Sequence, residues 1–224
     1  METIKRNDFV EIKYTGYANG NIFDSNIEED LRKIDPQAKP ILNVVIVGQK
    51  MLVDGFDNAI EGKEIGKEYE IKLSPKEGFG DRKTNLVKTI PLSVFRDKNT
   101  DPRPGMVLSL DNLIAKIIAV SGARVIVDFN NPLAGKEIVY RFSVIRKITD
   151  DSKKVMYFFE SFLRVVPEYD VKEDKVIVKA TKDFEVFVTA FQDKFKELIG
   201  KDLVLEVKEG SQDSTPVKDD KIKE

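Results

Sequence analysis

Residues 14–25 read Tyr14-Thr15-Gly16-Tyr17-Ala18-Asn19-Gly20-Asn21-Ile22-Phe23-Asp24-Ser25. They continue Phe9-Val10-Glu11-Ile12-Lys13, in which apolar side chains recur at every second position, the period of a β-strand. Asn19-Gly20 tolerates positive φ at both positions, as a type I′ turn requires. A second strand must then return antiparallel through Ile22 and Phe23. This hairpin sets an antiparallel sheet as the base of the fold.

Outward from the hairpin, residues 27–40 are polar, with a helical turn over Ile27 to Ile34 and stops at Pro36 and Pro40. Ile41 to Val47 is too continuously apolar for an exposed edge and reads as a buried strand closed by Gly48. Asp54 to Ile60 forms a short helix with Phe56, Ala59 and Ile60 on one side, and Gly62 and Gly66 bracket its exit. Glu68 to Leu73 alternates as a strand and stops at Ser74-Pro75. Lys76 to Asp81 is then a turn-rich loop with one aromatic, Phe79, between two glycines.

The character changes at Thr84. A strand from Leu86 to Ile90 leads to Pro91, placed at the first position of a short helix through Phe95. After the connector Asp101-Pro102-Arg103-Pro104-Gly105 come two β-rich runs, Met106 to Val120 and Arg124 to Phe129, separated by Ser121-Gly122. Ile114, Ile117, Ile118, Val125 and Val127 are the expected core of this block. Glu137 to Ile145 is a last long strand. Beyond Asp150, Val155, Phe158, Phe159, Phe162 and Val166 fall at helical spacing. Val176 to Ala180 reads as a strand, and Phe184, Phe187, Phe191, Phe195 and Leu198 form a second helical stripe closed by Gly200. Leu203 to Val207 is a final strand. Residues 210–224 lack periodicity and are expected to form a disordered tail.

Composition narrows the chemistry. The 224 residues include neither Cys nor His, which excludes a disulfide framework, a thiolate zinc site, a Cys nucleophile and a Ser–His–Asp triad. Chemistry must rest on carboxylates, hydroxyls, amines or the shape of a pocket. The 37 basic and 39 acidic residues are mixed along the chain, without the one-sided basic patch of a nucleic-acid binder. No apolar run reaches the ~20 residues of a membrane span, and the N-terminal residues lack the apolar stretch of a signal peptide. A cytoplasmic protein without nucleic-acid or membrane partners is expected.

Three segments carry a joint pattern: Tyr14-Thr15-Gly16 with Gly20-Asn21-Ile22-Phe23-Asp24-Ser25; Gly48 followed by Gly55-Phe56-Asp57-Asn58-Ala59; and Pro75-Lys76-Glu77-Gly78-Phe79-Gly80. In order and spacing they resemble the FKBP-type peptidyl-prolyl isomerases, whose pattern runs Y-x-G, G-x-x-F-D-S, G-x-x-x-x-x-x-G-[WFL]-x-x-A and P-x-x-[AG]-[YF]-G. Ordinary members have only a short flap after the last motif. Residues 84–136 stand in its place here and resemble the insert-in-flap domain of SlyD-like isomerases, which is associated with binding unfolded chains. The His- and Cys-rich metal-binding tail of SlyD has no counterpart in this composition, so nickel handling does not carry over. The extension after residue 150 is similar to that of the long archaeal members.

The resemblance implies an α+β fold. An antiparallel half-barrel sheet around a short helix would comprise residues 1–83 and 137–150, with a β-rich domain, 84–136, inserted in its flap. A small C-terminal α/β domain, 151–209, and the tail would follow. It also implies a site: Asp24, Tyr14 and Phe79 as catalytic groups, with Phe23, Leu52, Val53, Phe56 and Tyr140 binding substrate. Phe56 would form the floor under the proline ring. Asp24 would be the one carboxylate beside the rotating amide, held by the Tyr14 hydroxyl, and the Val53 N–H would anchor the peptide. Phe79 stands where many relatives carry a Tyr, a substitution that removes a hydrogen bond contributing about 0.5–1.5 kcal/mol. No aromatic occupies the strand before Gly48, where the family has one.

Taken singly, Tyr14, Leu52, Val53 and Tyr140 read as core residues, and only the joint spacing makes them a site. Met106 and Leu133 are the candidates for a client-binding surface on the insert. No metal or cofactor is expected. The partners would be unfolded or partly folded polypeptides containing proline, and a second copy bound through the C-terminal domain. The rival reading is a holdase or scaffold whose isomerase pocket has decayed.

Overall fold

A computed structural model describes residues 2–39, 43–110 and 112–208, which fall into two compact units divided between Lys147 and Ile148. In the first unit the chain runs through β1 (Phe9–Ala18), β2 (Asn21–Ser25), α1 (Glu28–Ile34), β3 (Asn43–Ile46), α2 (Asp54–Ile60) and β4 (Glu68–Leu73). The insert follows as β5 (Val87–Pro91), α3 (Leu92–Arg96), β6 (Val107–Leu110), β7 (Leu113–Ser121) and β8 (Arg124–Asp128), and β9 (Ile138–Lys147) returns to the first sheet.

That first sheet is antiparallel, in the order β2-β1-β9-β4, with β3 also paired to β1. β1 spans ten residues. β9 pairs along nearly all of one edge, while β2 and β3 share the other edge, at residues 15–18 and 9–12. The hairpin between β1 and β2 is as tight as Asn19-Gly20 demands, with φ of 51° and 77° and Ala18 opposite Asn21. Alternation sends Val10, Ile12 and Tyr14 to one face, where Phe56 and Ile60 of α2 cover them together with Tyr140, Phe142 and Val144 of β9. Burying such side chains stabilises the unit by about 1.5–3 kcal/mol each.

The insert is a second antiparallel sheet, order β5-β8-β7-β6, over its own core of Phe95, Leu110, Ala115, Ile117, Val125 and Val127. Three expectations need correction here. The run from Met106 to Val120 is a hairpin, β6 and β7, turned next to Asn112 with φ of 63°. Ile114 and Ile118 lie outside the core, 67% and 43% exposed, because a strand that buries Ala115 and Ile117 turns the intervening residues outward. Pro91 is the N-cap of α3 rather than its first helical residue. Polar contacts tie together the insert and the two segments that connect it to the first sheet. Arg82 Nη2 donates to Asp128 Oδ2 (2.7 Å), the Asn130 side chain bonds both the N–H and the carbonyl of Lys83 (2.8 and 2.9 Å), and Gly135 N–H donates to the Gly80 carbonyl (2.8 Å).

The second unit runs α4 (Asp151–Leu163), β10 (Glu168–Val171), β11 (Lys175–Ala180), α5 (Glu185–Ile199) and β12 (Asp202–Val207). Asp150 caps α4 by accepting the Lys153 N–H, and Gly200 ends α5 at φ of 81°. β10 pairs antiparallel with β11, and β12 lies parallel to β11 across the α5 crossover. The two phenylalanine stripes pack on one another: Phe158 meets Phe195 at 5.0 Å, and Phe158, Phe159 and Phe195 are fully buried. Val166 belongs to neither helix, since α4 stops at Arg164 in the left-handed region. The strand β10 carries no clear apolar signal in the sequence, because Glu168 and Asp170 dilute its apolar residues. The expected tail, 210–224, and the start of the expected strand, Ile41-Leu42, lie outside the described residues.

Candidate functional site

Six aromatic rings meet on the inner face of the first sheet. Tyr14 comes from β1, Phe23 from β2, Phe56 from α2, Phe79 from the loop after β4, and Tyr140 and Phe142 from β9. Phe56 stacks on Tyr140 with centroids 4.4 Å apart and planes at 19°, and it meets Tyr14 and Phe142 edge-on at 5.7 and 5.0 Å. Phe23 bridges Phe79 at 5.7 Å and Tyr140 at 5.8 Å. Phe56, Tyr140 and Tyr14 are buried, whereas Phe23, Leu52, Val53 and Phe79 are half-buried around them. A buried aromatic floor with a partly open apolar rim is the result.

Gly16 explains why the rings can meet. Its neighbours across the strands are Asp24 on one side and Tyr140 on the other. A Cβ at this position would come within 2.8 Å of both Phe23 Cζ and Tyr140 Cε1, so any other residue would drive the rings apart. Gly55 does the corresponding work at the helix. It donates its N–H to the Glu77 carbonyl (2.8 Å), and a Cβ there would strike Leu73 and Glu77. This approach fastens the loop bearing Phe79 to α2. The loop is a tight turn in itself: Gly78 and Gly80 donate to the Ser74 and Pro75 carbonyls, and the Glu77 carboxylate accepts from the Ser74 N–H and hydroxyl.

One carboxylate stands at the edge of this apolar cluster. Asp24 Oδ2 accepts a hydrogen bond from the Tyr14 hydroxyl at 3.0 Å. Tyr140 carries the second hydroxyl of the cluster. Burial, and then the charge of Asp24, pushes its phenol well above the usual tyrosine range. It keeps its proton at neutral pH and offers a donor rather than a negative charge.

The opposite face of the same sheet is of another kind. It holds a trench of about 400 Å³ lined by Lys13, Thr15, Tyr17, Asp30, Glu70 and Arg141 among others. Arg141 Nε pairs with Glu70 Oε2 there at 2.8 Å. The trench thus mixes these charged groups with Ile27, Tyr69 and Phe142, and lacks the stacked aromatic floor of the other face.

Of the residues expected from the sequence, Tyr14, Phe23, Asp24, Phe56, Phe79 and Tyr140 are linked by ring contacts or the Tyr14–Asp24 bond, and Leu52 and Val53 pack on the same core. Met106 sits apart from them, 38% exposed beside β6. Leu133 is half-buried and packs against the aromatic core of the first sheet. Phe142 lies beside the expected residues and follows from alternation with Tyr140. Gly16 stands in the Tyr14-Thr15-Gly16 motif, but the reason it must be glycine depends on contacts between distant segments.

Two family models match the chain: the FKBP-type peptidyl-prolyl cis-trans isomerase over residues 1–93, and the FKBP26, IF domain over residues 88–133. A short-type peptidyl-prolyl cis-trans isomerase of Methanocaldococcus jannaschii is 36% identical over 149 residues, covering 64% of this chain and 94% of that protein. The FKBP-type isomerase SlyD of Haemophilus influenzae is 34% identical over 102 residues, 44% of this chain and 53% of that protein. The Helicobacter pylori SlyD is 26% identical over 158 residues, 67% of this chain and 78% of that protein.

Proposed function

This chain belongs to the FKBP-type peptidyl-prolyl cis-trans isomerases, and on that premise we propose that it rotates X–Pro bonds on the aromatic floor around Phe56. Rotation faces a barrier of about 18–20 kcal/mol because the planar amide is held by resonance. The twisted amide has lost that resonance and carries less charge on its carbonyl oxygen. An apolar surface that removes water from the carbonyl therefore penalises the planar form more than the twisted one. No nucleophile is needed.

In this reading the proline ring rests on Phe56 between Tyr14, Phe23 and Tyr140. Leu52 and Phe79 close the rim, and the Val53 N–H anchors the peptide. Asp24, fixed by Tyr14, is the single charge beside the rotating amide. The observation that carries the reading is the convergence of six rings from five separate elements around that one anchored carboxylate.

We further propose that the division of labour follows the two sheets of the first unit. Isomerisation would reside in residues 1–83 and 137–150, and binding of unfolded chains in the insert. What supports this is the apolar exposure on the insert: Val107, Leu113 and Ile114 are 60%, 58% and 67% exposed, next to Met106 and Ile118. Exposed apolar residues clustered in this way mark an interaction surface. Leu133 belongs with the isomerase side instead. Because the Asn130 side chain bonds the Lys83 backbone, a short linker can join these two residues in place of 84–129. Such a variant is expected to keep its rate on prolyl tetrapeptides in a protease-coupled assay while losing rate on a refolding protein limited by proline isomerisation. Equal loss on both substrates would refute the division, and no catalysis by the full chain would leave only a binding role.

Self-association through the second unit is part of the same proposal, as is a cytoplasmic site of action. Once the phenylalanine stripes have packed together, Val165, Val186 and Val207 still point outward at 63%, 77% and 51% exposure. Twofold pairing is the commonest way to cover such surface. Light scattering is expected to show a dimer for the full chain and a monomer for a chain ending at Asp150. A full-length monomer at tens of micromolar would remove the claim.

A further inference from the structure

Among the described residues Asp57 is the one carboxylate that is buried, 3% exposed. It lies on α2 directly after Phe56, and its two oxygens are both committed. Oδ1 accepts the Gly48 N–H at 3.0 Å and Oδ2 accepts the Lys50 N–H at 2.9 Å. Gly48 and Lys50 have φ of 78° and 58°. Lys50 thus holds a left-handed conformation that its Cβ disfavours, and its N–H would be costly to leave unpaired. The other supports of this loop come from elsewhere: Gln49 Nε2 donates to Asn7 Oδ1 (2.8 Å), and the Ile46 N–H donates to Met51 Sδ (3.2 Å). The loop continues through Leu52 to Val53, the N-cap of α2, whose carbonyl accepts the Phe56 and Asp57 N–H groups at 2.9 and 3.0 Å. A single helical turn therefore carries the floor of the site and the fastening point of its wall.

We infer that Asp57 is a positioning residue for isomerisation: by clamping the Gly48 and Lys50 amides it sets Leu52 and Val53 at the right distance from Phe56. The inference rests on the reading of the aromatic floor as the prolyl site. Asp57 touches no substrate itself. Its loss would let the wall drift while the floor and Asp24 stay in place, so substrate binding should suffer more than the rotation step.

The test uses the full chain with Asp57→Ala and Asp57→Asn, measuring kcat and KM on a fluorescent prolyl tetrapeptide and amide hydrogen exchange at Gly48 and Lys50. Exchange at both amides should accelerate in Asp57→Ala, and KM should rise about fivefold or more with kcat changed by less than about twofold. Should Asp57→Ala fail to fold, Asp57→Asn keeps one carbonyl oxygen as an acceptor and is expected to show a smaller rise in KM. Faster exchange with KM unchanged, in whichever variant folds, would overturn the inference and leave Asp57 as a loop staple. Asp24→Ala run in parallel separates the two readings. If it is inactive beside an unaffected Asp57 variant, only the positioning role falls; if it retains full activity, the placing of the site falls and this inference with it.

Discussion

Phe56→Ala is expected to lower the stability of the first unit by about 3–5 kcal/mol, the usual cost of emptying a fully buried phenylalanine site, and to abolish most isomerase activity. Phe56 is 1% exposed and touches three aromatic rings, so the cavity left behind cannot close without moving Tyr14, Tyr140 or Phe142. Phe56→Leu should be far milder on both counts. Leucine fills much of the volume and is one of the three residues the family pattern admits at this position, so it is expected to lose only part of the stability and to keep measurable activity. Denaturant unfolding gives the stability change, and the prolyl-peptide assay below the transition gives the activity. A loss of under about 1 kcal/mol in Phe56→Ala would mean that the floor is not close-packed, contrary to the ring distances.

Asp24→Ala is expected to behave in the opposite way, leaving the fold intact and lowering kcat/KM by about tenfold or more, about 1.4 kcal/mol of transition-state stabilisation. The side chain is half-buried on β2, and its hydrogen bond is to Tyr14 at the site rather than to the sheet ladder. Asp24→Asn keeps an acceptor for the Tyr14 hydroxyl but removes the charge. If the carboxylate acts by its charge beside the rotating amide, both variants fall together. If its work is to hold Tyr14, the Asn variant stays close to the natural protein. Circular dichroism verifies the fold in each case. Catalysis at the natural level in Asp24→Ala would show that the pocket lies elsewhere.

Much of this molecule was legible without coordinates, and the reasons are local. Asn19-Gly20 forces a two-residue hairpin, because few other pairs accept positive φ twice, and sets Ala18 opposite Asn21 and Tyr17 opposite Ile22; a bulge at Phe23, which no local signal announces, then shifts the register so that Gly16 meets Asp24. The stripes of the second unit follow from helical spacing, with Gly200 marking the end of α5 by its left-handed φ. Seven of the eight residues proposed for the site lie in three separated segments that keep a joint spacing, and Tyr140 lies outside them; no member of the set announces itself alone. Where the local signal was mixed, the reading failed. Met106 to Val120 hid a turn inside an apolar run, and the phase of Ile114 and Ile118 depended on which residues the opposing strand would cover.

Sequence alone thus determined the hairpin, the helices and the strand inventory of the first sheet, since each rests on periodicity or on the φ preference of a few neighbours. Tertiary structure decided what those residues do to one another. That β1 pairs with β9, more than a hundred positions later, is what brings Tyr140 opposite Gly16, and only that pairing shows why the glycine must lack a Cβ. The same holds for Asp57, whose bonds to the Gly48 and Lys50 amides exist only once that loop is folded back onto α2. It holds again for Leu133, which reads as a surface residue of the insert yet packs against the core of the first sheet. In each case the deciding quantity is a distance between segments remote in sequence, set by the register of paired strands and by the close packing of one shared core.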